Sequence, residues 1–366
     1  IILLKTRQTG VANIDILTDS YILFAIHFLL LHQNFRRNLE MKIAFFDTKS
    51  YWKDSFGPMA EKYGYEITFF NERLTPATAH LAAGHDATCS FVNDEVPAEV
   101  IRELKDLGIK VLLLRCAGFD SVDLAVAKEC GLPVLRVPAY SPQSVAEQGA
   151  ALLMAINRKC HLSYQRTTKF NFDIAGLTGI ALYGKTAGII GTGKIGQCMI
   201  DILKGFGMNI IAYDAFPNPN LGLEYVSLDE LYARSDVISI HCPLMPATRH
   251  MVDKDAFAKM KDGVIFINVA RGGLVDSEAL ADAVESGKVR GVGMDVCEVE
   301  HEYFFEDRSN LEKHDPTLAR LLANENILIS GHQAFLTEEA LEQMAKVTLD
   351  NAKAFLAGEE LVNEVK

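Results

Sequence analysis

A glycine-rich turn is the clearest candidate for chemistry in this chain. Ala187–Ile190 is a short apolar run, followed by Gly191-x-Gly193-x-x-Gly196 and then by residues with helical spacing. In a strand, turn and helix of this kind, the first glycine permits the tight turn, the second lets the backbone approach a pyrophosphate, and the third lets the helix pack on the strand. The helix N-terminus adds free N–H groups and a partial positive charge. The arrangement predicts a dinucleotide-binding site.

An acidic residue follows at the spacing that such a site requires. Asn209–Tyr213 is a second apolar run, which predicts the next strand, and it ends at Asp214. An acid about 20 residues after the glycine turn binds the adenosine ribose hydroxyls. Because a carboxylate would repel a 2′-phosphate, we expect NAD rather than NADP. The alternative is a glycine turn of some other α/β protein, in which Asp214 merely ends a strand.

An arginine and a histidine, Arg271 and His332, each follow an apolar run further along the chain. Arg271 comes shortly after Val264–Asn268, and two glycines follow it, so that a small anion can approach closely. Its guanidinium matches the geometry of a carboxylate. His332 directly follows Ile327–Ser330 and Gly331, and a histidine can exchange a proton near neutral pH. The alternatives are a surface arginine in a loop and a structural histidine.

Glu300 is the candidate partner of His332. A carboxylate beside an imidazole favours the protonated ring, which would keep a proton available to the oxygen of a carbonyl group whose carbon receives hydride. However, Glu298, Glu300 and Glu302 form an acidic run that could simply be solvated. Spacing alone does not choose among the three.

Composition limits the kinds of partner. The chain has 366 residues, enough for two domains, and a formal net charge of −12, which disfavours nucleic acid and anionic membranes. The chain has seven cysteines, an odd number, and no two of them form a CxxC motif. We therefore expect reduced thiols in a cytoplasmic protein and no metal site.

The elements that must position these side chains alternate along the chain. Apolar runs predict strands at 43–46, 66–70, 87–91, 111–115 and 132–136, and then at 187–190, 209–213, 237–241, 264–268, 291–295 and 327–330. Helical stretches separate them, among them Gln143–Asn157, and Glu338–Ala357 predicts a final amphipathic helix. Repeated βα units predict an α/β fold with parallel sheets covered on both faces. Ligands of such sheets bind beyond the carboxyl ends of the strands, where the candidate residues lie.

Residues 1–40 differ from the rest. Tyr21–Leu31 is almost wholly apolar but too short to span a membrane, and no small-residue cleavage site follows it. Met41-Lys42 then opens the first predicted strand. We interpret 1–40 as an extension outside the native fold, the alternative being a targeting segment.

Several ordered motifs between Met41 and Lys366 give the chain a marked resemblance to the D-isomer-specific 2-hydroxyacid dehydrogenases, and within them to the bacterial D-lactate dehydrogenases. The motifs are Leu114-Arg115-Cys116-Ala117-Gly118-Phe119, Val137-Pro138-Ala139-Tyr140-Ser141-Pro142, the glycine turn, His241-Cys242-Pro243-Leu244, Asn268–Asp276, Met294-Asp295-Val296 and Gly331-His332-Gln333-Ala334-Phe335.

The resemblance implies roles for individual residues. Arg271 would bind the substrate carboxylate, His332 would donate the proton and Glu300 would be its partner. Ala117 and Gly118 would offer backbone N–H groups to the carboxylate, and Tyr140 and Phe335 would flank the substrate side chain. The NAD site would be lined by Lys194, Ile195, Asp214, Cys242, Pro243, Thr248, Val269, Ala270 and Asp295, together with Gly191, Gly193 and Gly196.

The resemblance also implies an architecture and an activity. It implies two doubly wound domains with the reaction in the cleft between them: a flavodoxin-like substrate domain, 41–142 with 336–366, and a Rossmann NAD domain, 143–335. We expect reduction of pyruvate to D-lactate by a homodimer or tetramer, with segment 158–186 part of the contact between subunits. The alternatives are a dehydrogenase for a larger 2-keto acid and a non-catalytic NAD-sensing protein.

Overall fold

The computed structural model describes residues 41–365, except for the side chain of His301, and its chain divides into two units. Unit 1 takes in the described residues up to Pro138 and those from Ala345 onward, and unit 2 is Ala139–Met344. The domain boundaries predicted from the sequence, after residues 142 and 335, lie within ten residues of these divisions. The predicted extension, 1–40, lies outside the described residues.

Unit 1 contains a five-stranded parallel sheet in the order β2-β1-β3-β4-β5. The strands are β1 Lys42–Phe45, β2 Glu66–Phe69, β3 Ala87–Ser90, β4 Val111–Leu114 and β5 Val134–Leu135; the helices are α1 Ser50–Tyr63, α2 Ala98–Asp106 and α3 Leu124–Glu129, with a 3-10 turn at Ala79–Ala82. Strands β3 and β4 are buried along their whole length, as expected for a parallel sheet covered on both faces. The chain order reverses between β1 and β3, so a ligand is expected beyond the edge that the carboxyl ends of these strands form.

A buried arginine fixes that edge. Arg115 follows β4, is 0% exposed, and its guanidinium carbon lies 4.2 Å from the centroid of the Phe45 ring. The same guanidinium donates hydrogen bonds to the carbonyls of Phe46, Asp47 and Cys89. Hydrogen bonds from a charged donor are stronger than neutral ones, so Arg115 ties the ends of β1, β3 and β4 together.

Unit 2 contains a seven-stranded parallel sheet in the order β12-β11-β10-β9-β6-β7-β8. The strands are β6 Thr186–Ile190, β7 Asn209–Tyr213, β8 Glu224–Tyr225, β9 Val237–Ile240, β10 Val264–Asn268, β11 Val289–Met294 and β12 Ile327–Ile329. The helices are α4 Pro142–Asn157, α5 Cys160–Thr167, α6 Lys194–Gly205, α7 Leu228–Arg234, α8 Lys254–Lys259, α9 Ser277–Glu285, α10 Glu300–Tyr303, α11 Pro316–Leu322 and α12 Glu338–Ala357, and 3-10 turns occur at Pro219–Leu221 and Gly272–Leu274. Helix α12 begins in unit 2 and ends in unit 1.

The order of the strands places the predicted site. The chain runs outward from β6 to β8 on one side and from β9 to β12 on the other, so the sheet switches direction between β6 and β9. In open α/β sheets the ligand crevice lies beyond the carboxyl ends of the strands at such a point. Gly191 directly follows β6 and His241 directly follows β9, which brings the glycine turn to this crevice.

Both sheets confirm the predicted fold class, and every predicted strand is present with bounds shifted by at most three residues. The prediction missed β8, which has two residues at the edge of the sheet and no apolar run.

Candidate active site

The three glycines of the turn occupy three different environments. Gly191 has φ +94, and a Cβ there would lie 2.8 Å from the Cys242 nitrogen, so only glycine fits against the end of β9. A Cβ on Gly196 would lie 2.1 Å from the Gly191 carbonyl oxygen, which confirms its role in close packing. A Cβ on Gly193 would meet no protein atom within 4 Å. The space at Gly193, at the N-terminus of α6, fits the pyrophosphate of a dinucleotide.

Asp214 closes this turn from the end of β7. Its Oδ2 accepts hydrogen bonds from the Thr192 N–H at 2.7 Å and the Thr192 hydroxyl at 2.9 Å, and its Oδ1 accepts one from the Phe216 N–H. Burial alone would raise the pKa of Asp214, but these hydrogen bonds hold it below its usual value. Asp214 is therefore a carboxylate at neutral pH, as the choice of NAD over NADP requires.

The loop after β9 is held by its own side chains. The Thr248 hydroxyl donates to the Pro243 carbonyl at 2.8 Å and accepts from the Met245 N–H. Burial lowers the pKa of His241 to about 4, so its ring is neutral at pH 7, and burial raises the pKa of Cys242 to about 11. A neutral imidazole and a protonated thiol are compatible with an anionic ligand nearby.

Arg271 lies in a loop that a buried asparagine organises. Asn268, the last residue of β10, is 0% exposed; its amide donates to the Arg271 carbonyl and accepts from the Ala270 N–H. A Cβ on Gly272 would lie 2.1 Å from the Cys297 carbonyl carbon. The Arg271 loop therefore packs directly against the backbone that leads to Glu300. Val269 is buried in the core, and Ala270 is partly buried.

Glu300 and His332 face each other. Glu300 Oε1 lies 3.4 Å from His332 Nδ1, and the Cys297 N–H donates to Glu300 Oε2. The two side chains are 19% and 14% exposed, so water screens their charges only partly. The separation of 3.4 Å is longer than an optimal hydrogen bond, and the contact is an ion pair when the ring is protonated. Because Nδ1 faces the carboxylate, Nε2 is the ring atom left to serve a substrate.

The structure gives different partners to the three glutamates among which the spacing does not choose. Glu298 Oε1 accepts a hydrogen bond of 2.6 Å from His250 Nε2, and Oε2 accepts one from the Ser277 N–H. Burial would raise the pKa of Glu298, but these hydrogen bonds hold it below its usual value. Glu302 contributes its carbonyl to Arg308. Among the described residues, Glu300 is the carboxylate that forms an ion pair with His332.

Asp295 holds the backbone around His332. It is 0% exposed, and its carboxylate accepts hydrogen bonds from the Ser330 hydroxyl at 2.6 Å, the Gln333 N–H at 2.9 Å and the Ala334 N–H at 2.8 Å. Burial raises its pKa despite these bonds. Asp295 was predicted as an NAD contact; in the structure its carboxylate is used to support the histidine loop.

Aromatic rings lie beside the imidazole. The Phe305 ring is 6.0 Å from His332 and 6.1 Å from Phe335, centroid to centroid. Phe335 is 3% exposed, and Tyr140 packs at the edge of the core under the sheet. Phe335 and His332 therefore border one apolar environment within unit 2.

In unit 1 the predicted carboxylate donors lie in a turn after β4. The Arg136 guanidinium donates to the Ala117 carbonyl at 2.9 Å, and the Cys116 thiol donates to the Gly118 carbonyl at 3.3 Å. Within the described residues, neither the Ala117 N–H nor the Gly118 N–H donates to a protein acceptor. Their use by a substrate carboxylate stays a prediction.

The doubly wound sheet, the glycine turn with its acid, and the arginine, histidine and glutamate at the strand ends define a nicotinamide-dependent dehydrogenase. Residues 150–334 match the NAD-binding domain of the D-isomer specific 2-hydroxyacid dehydrogenases. The chain belongs to this family, which confirms the predicted class of enzyme and NAD as the cofactor.

Three relatives illustrate the match. The chain is 49% identical to the D-lactate dehydrogenase of Escherichia coli over 328 residues, covering 89% of this chain and 100% of that protein. It superimposes on the pyruvate reductase of Chlamydomonas reinhardtii with a TM-score of 0.84 at 43% identity, covering 90% of this chain and 100% of that one. For a D-2-hydroxyisocaproate dehydrogenase the TM-score is 0.78 at 34% identity, with 89% and 99% covered.

Sequence reasoning missed several residues that shape the site. Thr192, Asn268, Ser330 and Phe305 contact the predicted residues directly. The sequence pointed to Asn268, which is a polar residue at the end of a buried strand, but it gave no such indication for Phe305.

Within residues 41–365, no helix has the length and apolar character needed to cross a bilayer.

Proposed function

We propose that this enzyme reduces pyruvate to D-lactate with NADH. The observation that carries the proposal is the pairing of Glu300 with His332 at 3.4 Å, which leaves Nε2 free for a substrate oxygen. The similarity to D-lactate dehydrogenases over nine-tenths of the chain supports the choice of substrate and the hand of the product.

Substrate binding is proposed to use charge and backbone dipoles together. The Arg271 guanidinium forms a bidentate pair with the carboxylate of pyruvate. The Ala117 and Gly118 N–H groups donate to the same carboxylate. Tyr140 and Phe335 flank the methyl group and give it an apolar boundary.

The proton is proposed to come from His332. When bound, NADH supplies the hydride that reaches the keto carbon. The negative charge that develops on the keto oxygen is neutralised by the proton on His332 Nε2, and the ring becomes neutral. Glu300 stabilises the protonated ring before the transfer and holds its orientation. In the oxidation of D-lactate the same ring accepts the proton.

The cofactor contacts are proposed from the same geometry. Gly191, Gly193 and Gly196 form the pyrophosphate turn, and Asp214 binds the adenosine ribose. The remaining residues proposed to line the site are Lys194, Ile195, Cys242, Pro243, Thr248, Val269, Ala270 and, through its backbone, Asp295.

The test is NADH oxidation by the purified protein with pyruvate, 2-ketoisocaproate and hydroxypyruvate in parallel. The product is then assayed with enzymes specific for each lactate enantiomer. We expect pyruvate to give the highest kcat/KM and D-lactate as the product. A preference for 2-ketoisocaproate would move the substrate to a larger acid, in line with the D-2-hydroxyisocaproate relative. Tight NADH binding without turnover would favour the NAD-sensing alternative.

We further propose a homodimer or tetramer assembled through unit 2. Five large apolar side chains between residues 158 and 186 are 71–89% exposed: Tyr164, Phe170, Phe172, Ile174 and Tyr183. Exposed apolar side chains concentrated in one segment are typical of an interface between subunits.

We place the enzyme in the cytoplasm because all seven cysteines, each within the described residues, are free thiols.

A further inference from the structure

We propose that Arg136 is a positioning residue that aims the backbone N–H of Gly118 toward the substrate carboxylate, while the backbone of the next residue, Val137, holds the unit that carries the Ala117 N–H. The inference rests on the proposed function, which assigns both N–H groups to that carboxylate. Arg136 itself touches neither substrate nor cofactor in this proposal; it acts through the turn.

The first step of the argument is the geometry of one peptide unit. The described residues contain no cis peptide bond, so the Ala117 carbonyl and the Gly118 N–H point in opposite directions across one rigid plane. Arg136 Nη1 donates to that carbonyl at 2.9 Å. Holding the oxygen toward Arg136 therefore directs the Gly118 N–H away from Arg136 and out of the turn.

The second step concerns the peptide unit before it. The Val137 N–H donates to the Cys116 carbonyl at 3.1 Å, and this carbonyl shares its plane with the Ala117 N–H. Two consecutive residues at the end of β5, Arg136 and Val137, thus hold the carbonyl ends of both units. Both N–H groups are left pointing outward, without a protein acceptor among the described residues.

The third step is electrostatic. A hydrogen bond from a charged guanidinium polarises the carbonyl that accepts it, and the polarisation extends through the conjugated unit to its N–H. The Gly118 N–H is therefore a stronger donor toward an anion than an ordinary backbone amide. The positive charge of Arg136 itself also attracts a carboxylate that approaches the turn.

The fourth step is that both the side chain and the backbone of Arg136 have fixed partners. Its guanidinium carbon lies 5.1 Å from the centroid of the Phe119 ring, a distance that allows a cation–π contact. Its backbone N–H donates to the Asn363 carbonyl at 3.1 Å, and the Asn351 amide donates to its carbonyl at 2.9 Å. A residue anchored by its backbone and stacked through its side chain can fix the turn that it contacts.

The experiment compares Arg136→Met and Arg136→Gln with the full-length wild-type enzyme. The readouts are pyruvate KM, kcat, NADH KM and the inhibition constant of oxamate, in which an amino group replaces the methyl of pyruvate. We expect Arg136→Met to raise the pyruvate KM and the oxamate inhibition constant about 10-fold or more. We expect kcat and the NADH KM to change less than about 3-fold, because Arg271, His332 and the glycine turn are untouched. Arg136→Gln, which keeps a donor but loses the charge, should lie in between.

Arg102→Met is the matched control. Arg102 is exposed on α2 of the same unit and forms no ion pair or hydrogen bond within the described residues, so its loss removes the same charge without affecting the turn. A folded Arg136 variant that binds oxamate and pyruvate as the wild type does would overturn the inference. So would an equal loss in kcat and NADH binding, or failure of both variants to fold, since either would make Arg136 a general stabilising residue. Wild-type enzyme without activity on pyruvate would instead overturn the proposed function.

Discussion

His332 occupies a backbone conformation that a side-chain-bearing residue seldom adopts. Its φ is +53, in the left-handed region, which costs of order 1 kcal/mol for a residue other than glycine. The hydrogen bond from its N–H to the Asp295 carbonyl, and the bonds from Gln333 and Ala334 to the Asp295 carboxylate, keep it there. The strained turn sets the direction in which the imidazole leaves the backbone.

Replacing His332 with glutamine tests the proton donor. Glutamine keeps the size and polarity of the side chain but cannot transfer a proton, so we expect kcat for pyruvate reduction to fall about 10²–10⁴-fold. The Kd for NADH, measured by fluorescence, should change less than about 2-fold because the glycine turn is untouched. His80→Gln, at an exposed position in unit 1, is the control. Unchanged turnover in His332→Gln would remove this residue from the mechanism.

Replacing Glu300 with glutamine tests its contact with His332. Glutamine keeps the size and polarity of the side chain but removes the negative charge 3.4 Å from Nδ1. We expect kcat for pyruvate reduction to fall about 10-fold or more, because the carboxylate no longer stabilises and orients the ring that donates the proton. Glu302→Gln should keep the wild-type kcat; an equal kcat for both variants would exclude Glu300 from this role.

At the scale of elements, one glycine of the turn is needed for packing and another for cofactor binding. A methyl group on Gly196 would overlap the Gly191 carbonyl, whereas one on Gly193 would enter space that no protein atom occupies. The same Gly-to-Ala change should therefore affect stability at Gly196 and cofactor binding at Gly193, three residues away.

We expect Gly196→Ala to lower Tm by about 5–10 °C, since the backbone must move to relieve the overlap. Gly193→Ala should change Tm by less than about 3 °C but weaken NADH binding at least about 10-fold, about 1.4 kcal/mol. Calorimetry gives the first quantity and NADH titration the second. Normal NADH affinity in Gly193→Ala would show that the phosphates lie elsewhere.

The elements could be predicted because buried parallel strands are continuous apolar runs and their ends are marked by glycine or polar residues. β10 has the predicted bounds, Val264–Asn268. β8 was missed because a two-residue edge strand buries little and leaves no such run. The spacing did not choose among Glu298, Glu300 and Glu302, and only the family resemblance favoured Glu300. The choice depends on His250 and His332, which the fold brings close from distant parts of the chain. Arg136 was missed for the same reason: its contacts with the 116–119 turn exist only once β5 lies beside β4.

At the scale of the whole molecule, the exposed aromatic segment of unit 2 predicts association. Phe170 and Phe172 are 89% and 71% exposed, and burying both in an interface would contribute a few kcal/mol. We expect the double variant Phe170→Ser, Phe172→Ser to sediment as a monomer at concentrations at which the wild type is a dimer or tetramer. Phe216→Ser, which removes an equally exposed ring outside the segment, should keep the wild-type mass. A wild-type enzyme that is already monomeric would contradict the proposed assembly.

The discontinuity of unit 1 has a consequence for synthesis on the ribosome. Arg136, at the end of β5, is held by Asn351, which lies 215 residues further along the chain. All of unit 2 is made between these two residues. At 5–20 residues per second, roughly 10–40 s pass before the partner of this strand exists. During that interval the nascent unit 1 has an open sheet edge, while unit 2 is being synthesised.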